Sequence, residues 1–125
     1  MIRVLGGEHA EEDFILARAA LRRKQPLTSG VCFHAQQCAE KYMKALLIYK
    51  DHEFPKVHDL SILDEICSSA GIFIGISGDR FEFLSGYAVG SRYPGDEPTL
   101  EETKEAIKIA KSIRRFSRSF LGVKK

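Results

Sequence analysis

VCFHAQQCAEKYMKALLIYK, residues 31–50, is the stretch whose reading decides the fold. Val31, Ala35, Cys38, Tyr42, Leu46 and Tyr49 recur at steps of three and four residues, the spacing of an apolar stripe on an α-helix. Cys32, Ala39, Met43 and Leu47 widen that stripe, so the helix is expected at the centre of the molecule. His34, Gln37, Lys41 and Lys44 recur at the same steps on another face, with Glu40 beside them. Two readings of this polar strip stay open: a solvated face, or a strip that meets a partner or ligand.

Upstream, residues 8–24 carry a helical pattern, with Phe14, Ile15, Ala17, Ala19 and Leu21 as its apolar surface. Acids crowd its start and Arg22, Arg23 and Lys24 its end, the order a helix dipole favours. Gln25-Pro26 stops it, because the residue before proline is pushed out of the α region. Thr28 or Ser29 is the expected cap of the central helix.

Downstream, residues 51–56 read as a loop broken by Pro55, and residues 59–70 as a shorter helix with Asp59 near its cap and Gly71 as its stop. The run IFIGISG at 72–78 is read as a buried connector, since a lone short strand has no visible partner. Its isoleucines lack obvious cover in a small bundle and so suggest an interface. Asp79 and Glu82 have capping-box spacing and open a fourth helix with Phe83, Leu84, Tyr87 and Ala88. Residues 92–98, RYPGDEP, form a turn. Thr99 and Glu102 form a second capping box, and the last helix runs to about Leu121, burying Ala106, Ile107, Ile109, Ala110, Ile113, Phe116 and Phe120. The expected fold is all-α: an up-and-down antiparallel bundle of four to five helices in one domain, residues 1–125.

Composition narrows the function. Net charge is +2, too mild to announce a nucleic-acid binder, although the last segment is locally basic from Lys104 to Lys125. Cys32, Cys38 and Cys67 are odd in number and lack metal-ligand spacing, and read as small buried hydrophobes in a reducing compartment. The N-terminal residues turn acidic at once, unlike a signal peptide, and no apolar run is long enough to span a membrane. A cytoplasmic location is expected. His52, His58 and Asp59 would need a fourth ligand to close a metal site, so neither metal nor cofactor is expected. No phosphate-binding glycine loop, HExxH, CxxC or GxSxG is present. The turn at Arg92 and Tyr93 is the best anion candidate: a guanidinium fork and a phenol stand just before a helix start, where backbone N–H groups favour phosphate. His58 and Lys41 are expected to contribute from neighbouring helices.

FHAQQCAEKYMKALL at 33–47, HDL at 58–60 and RYP at 92–94 together resemble the HEPN domain family, the nucleotide-binding domains of higher eukaryotes and prokaryotes. The resemblance covers nearly the whole chain. It implies an all-α bundle, usually dimeric, often encoded beside a minimal nucleotidyltransferase. Some members are metal-independent ribonucleases, including toxins of toxin–antitoxin pairs; others bind nucleotides. The ribonuclease branch carries Arg, four to six residues, then His, near the last helices. Here Arg92 is followed at those positions by Glu97, Pro98 and Thr99, and no histidine follows His58. Arg3 and His9 have the spacing but sit in the N-terminal tail. Histidine is the usual proton-transfer group near neutral pH. The expected function is therefore a non-catalytic HEPN-type module, a homodimer binding a nucleotide, an RNA or a partner nucleotidyltransferase. A toxin-like ribonuclease and a purely structural adaptor are the alternatives.

Overall fold

Helix α2, Thr28–Tyr49, is enclosed by the rest of the chain, and each other helix is placed by what it covers on it. The computed structural model describes residues 7–89 and 95–122. They form α1 Gly7–Arg22, α2, α3 Leu60–Ser69, α4 Gly78–Ser85 and α5 Leu100–Phe120, with no strand among them. The all-α bundle expected from the periodicity is what the chain forms. None of these helices is long and apolar enough to cross a membrane.

Helix α1 lies antiparallel to α2. A tight turn joins them, closed by Leu27 N–H donating to the Ala20 carbonyl at 3.2 Å. Its inward positions are Ala10, Asp13, Phe14 and Ala17, which places a carboxylate on the buried stripe and leaves Ile15 outside. Neither Thr28 nor Ser29 caps α2: Leu27 occupies the cap, and no side chain bonds there. The helix begins one position too early for Thr28 to serve and two too early for Ser29. Inside, Val31, Cys32, Ala35, Cys38, Ala39, Tyr42, Met43, Leu46 and Leu47 are buried as expected. Tyr49 is exposed on its face but meets Phe120 edge-on at 6.0 Å.

Asp59 caps α3, accepting from the N–H groups of Ser61 at 2.8 Å and Ile62 at 3.3 Å. Gly71, at φ +81°, ends it: Gly71 N–H reaches the Ser68 carbonyl and Ile72 N–H the Cys67 carbonyl, the paired bonds of a Schellman stop. The connector after it is extended enough to alternate. Ile72 and Ile74 enter the core while Phe73 is 70% exposed. The isoleucines thus find cover within their own bundle, and the expected bare patch reduces to Phe73. Helix α4 is capped by Ser77 without a side-chain bond, so Asp79 lies inside the first turn and acts there through the dipole alone. Thr99 and Glu102 do form a reciprocal capping box, at 3.0 and 2.8 Å. Phe116 and Phe120 of α5 are half-buried and stack on each other at 5.8 Å.

Helix α5 runs in the same direction as α2: Cys32 Sγ meets Thr103 Oγ1 early in both, and Arg118 meets Tyr42 late in both. All three thiols are buried and unbridged. Burial, with Asp64 nearby, pushes Cys67 up to about 12, so it is inert as a nucleophile.

One polar junction ties α1, α2 and α5 together. Arg114 forks onto Glu11, with Nε 2.7 Å from Oε1 and an Nη 2.8 Å from Oε2. Tyr42 donates its hydroxyl hydrogen to Glu11 at 2.7 Å, and Arg118 reaches the Tyr42 oxygen at 3.3 Å. Arg114 also lies over the Phe14 ring at 4.6 Å from its centroid. The Arg114 hydrogen bond holds Glu11 down at about 2 despite partial burial, with Tyr42 and Arg118 assisting.

Two outcomes follow for stability. Leu46→Ala should cost roughly 2–5 kcal/mol in urea unfolding, through lost transfer energy and a cavity, whereas Phe73→Ala should stay within about 0.5 kcal/mol. Glu11 has a depressed folded pKa, so its contribution is present above its ordinary value of 4.5 and is lost as pH falls from there toward about 2. Wild type should lose stability across that window, and Glu11→Gln should be less stable at neutral pH with a flatter acid limb in pH-dependent melting.

Candidate functional site

The polar strip of α2 is half-buried: His34, Gln37, Lys41 and Lys44 keep part of their surface in solvent, while Glu40 is buried. Cys32, Ala35, Gln36, Ala39 and Met43 share one helical face, so the fold buries Gln36 completely among apolar neighbours. A buried amide must find partners. Gln36 Nε2 donates to the His58 carbonyl at 3.1 Å and to Glu40 Oε1 at 3.1 Å, and Gln37 Nε2 donates to Gln36 Oε1 at 2.7 Å.

Glu40 is the hub. Its side chain is only 7% exposed, yet it accepts from Lys44 Nζ at 2.9 Å and from His58 Nδ1 at 3.0 and 3.1 Å. Burial pushes its carboxyl up, but the hydrogen bonds from Lys44, Gln36 and His58 outweigh that and hold it below the ordinary value. The His58 ring itself is 71% exposed. Because a carboxylate can only accept, the ring proton sits on Nδ1 and the neutral ring has Nε2 as its open nitrogen. The side chain is thus displayed at the surface while its backbone carbonyl and its ring are both held by α2.

A second carboxylate sits further along the strip. Asp13 of α1, buried, takes His34 Nδ1 at 2.7 Å on one oxygen and Lys41 Nζ at 2.7 Å on the other. Of the expected site residues, His58 lies in the loop before α3 and Lys41 on α2, and they are held by different carboxylates, Glu40 and Asp13. Arg92 and Tyr93 lie outside the described residues. The sequence reading missed Asp13 and Gln36 as organising groups. The signal was present: each is a polar residue at a step of three or four within an apolar stripe, the place where a polar side chain has to be answered from another helix.

Chemically, an imidazole held through Nδ1 by a carboxylate can accept a proton at Nε2, or in its charged form donate one to an anion. Among the described residues no group of three or more His, Cys, Asp or Glu side chains is arranged to hold a metal ion.

This arrangement, with the α2 strip and the histidine that opens onto α3, lies wholly within a region recognised by sequence comparison. The profile of the HEPN domain matches residues 7–120. No curated protein and no solved structure matches the chain. The match spans nearly every residue described above, from α1 to the end of α5, and the chain belongs to the HEPN domain family.

Proposed function

We propose that this chain is a non-catalytic HEPN-type module, acting as a homodimer, that binds the phosphate of a nucleotide or RNA through His58, Arg92, Tyr93 and Lys41. A minimal nucleotidyltransferase is the protein partner this reading implies. The observation that carries it is the Glu40–His58 pair: an imidazole 71% exposed, seated on a carboxylate 7% exposed. In its charged form the ring donates Nδ1–H to Glu40 and offers Nε2–H outward, where an anion can take it. Lys41 spends one of its three donors on Asp13 and keeps the others. Arg92 supplies a planar fork suited to phosphate, and Tyr93 a ring for stacking.

A metal-independent ribonuclease is the second reading, and the same pair supports it, since a carboxylate-held imidazole is a proton-transfer group. The sequence around Arg92 argues against it, because no histidine follows at the spacing of the ribonuclease branch.

Titration with mononucleotides and short RNA, monitored by calorimetry, separates these. Wild type should bind, Arg92→Ala should weaken binding by roughly 1.5–3 kcal/mol, the range for hydrogen bonds to charged groups, and Arg92→Lys should recover part of it. His58→Ala should also weaken binding without unfolding the chain. Wild type that binds neither ligand sinks the phosphate site. RNA cleavage in the presence of a chelator, abolished by His58→Ala, would establish the ribonuclease instead. Light scattering should show a dimer at micromolar concentration.

A further inference from the structure

The charge of +2 conceals a separation of charges in space. No Asp or Glu occurs between Asp13 and Glu40, and none follows Glu105. The second half of α1 and the part of α5 after Glu105 are therefore free of acids, and these two stretches meet. Between them runs a groove of about 250 Å³ lined by Phe14, Arg18, Leu21, Arg22, Ile107 and Lys111.

The cations of α5 fall into two sets. Arg114 and Arg118 turn inward and are engaged by Glu11. Lys104, Lys108, Lys111 and Arg115 are exposed and recur at steps of four, three and four, a continuous stripe along the outer face. Neighbours at such steps stand about 5–6 Å apart at Cβ. Across the groove, Arg18 and Arg22 are exposed on α1. Among the described residues, Arg18, Arg22, Lys108, Lys111 and Arg115 have no carboxylate partner. Arg18 rests on the Phe14 ring, 5.7 Å from its centroid, which positions its guanidinium without using its donors.

We propose that this α1–α5 groove and the stripe beside it bind the sugar-phosphate backbone of single-stranded RNA, a surface separate from the phosphate site at His58. Glu105, 4.0 Å from Arg80, stands between Lys104 and Lys108; from Lys108 onward the cations run with no intervening acid, and such a row fits a polyanion of regular charge. Lysine is depleted at protein–protein interfaces, whereas Lys and Arg dominate contacts to nucleic-acid phosphates. Phe14 is buried in the groove floor and cannot stack on a base, so recognition here is of the backbone and independent of sequence. The proposal extends the reading of the previous section from a nucleotide to a strand, and it stands or falls on different residues.

The test is fluorescence anisotropy of a labelled oligouridylate of about 12 nucleotides, measured between about 50 and 200 mM salt. Wild type should bind with an affinity that falls steeply with salt. The variant carrying Arg18→Gln, Arg22→Gln and Lys111→Gln should bind at least about tenfold more weakly at low salt. Its log–log salt slope should be smaller by about 2, three contacts at roughly 0.7 each for a single strand. Lys108→Gln with Arg115→Gln, both on the exposed stripe, should reduce the slope by about 1.4 on the same grounds. Mononucleotide affinity, measured by calorimetry on the same proteins, should be unchanged, because His58 and Arg92 are intact. Retained RNA affinity and slope in both variants would overturn the groove while leaving the phosphate site standing. Loss of mononucleotide binding in His58→Ala and Arg92→Ala speaks only to the latter. Wild type that binds no oligouridylate, or releases it equally to polyglutamate of the same charge, would also overturn the assignment.

Discussion

Enclosing a helix that carries charges obliges the protein to answer them from inside. Helix α2 has apolar neighbours on most sides, and its Gln36 and Glu40 are buried with them. An unpaired buried amide costs on the order of 1–3 kcal/mol and an unpaired carboxylate more. The surrounding chain is arranged to prevent that. α1 presents Asp13 to His34 and Lys41, and the loop before α3 presents the His58 ring and carbonyl to Glu40 and Gln36. These bonds do not drive folding, because replacing paired buried charges by apolar residues is often neutral or better. Their effect is on register. A slip of α1 along α2 would leave Asp13 facing apolar side chains, and the apolar stripe alone would not forbid it.

The same demand explains what could be read in the residues and what could not. The helices were legible because their apolar steps and stops are local: the Thr99–Glu102 box, the Asp59 cap and the Gly71 stop each need only a few neighbouring residues. The α2 cap was misread because a hydroxyl at Thr28 or Ser29 satisfies the local rule, whereas the turn from α1, closed on Ala20, sets where the helix starts. Asp79 failed for a similar reason, one residue inside its helix instead of before it. The inward turn of Ile72 and Ile74 depends on the core surface offered by distant helices, which no local pattern contains. His58 was found from its neighbours, but its tether to Glu40 joins residues on different elements, and only the fold brings them together.

Interior pairing also determines what is left on the surface. Glu11, Asp13 and Glu40 are all consumed at helix contacts, and together they take Arg114, Arg118, His34, Lys41, Lys44 and His58. These three acids are thus turned toward the helix contacts, while Glu8 and Glu12 stay exposed only in the first half of α1. The remaining bases of α1 and α5 are left without local opposition, so a nearly neutral chain displays a basic face. Surface potential follows this placement rather than the net charge, and steering of an anion toward a face depends on the former.

His58 shows how an exposed residue can nevertheless be fixed. Three constraints act on two consecutive residues: Gln36 holds the His58 carbonyl, Glu40 holds its ring, and Asp59 commits the next backbone turn to α3. A further bond, from Leu60 N–H to Ser85 Oγ at 2.8 Å, anchors the same turn to α4. The ring therefore loses little conformational freedom when something binds to it. Preorganisation of this kind improves affinity by reducing the ordering cost rather than by adding a contact. It also makes the site sensitive to changes away from its surface. Gln36→Leu would preserve size and burial but release the His58 carbonyl and remove one of the donors to Glu40 Oε1, loosening the ring without touching it. An effect of that substitution on ligand affinity larger than its effect on unfolding would identify α2, not the loop, as the element that sets the geometry of the site.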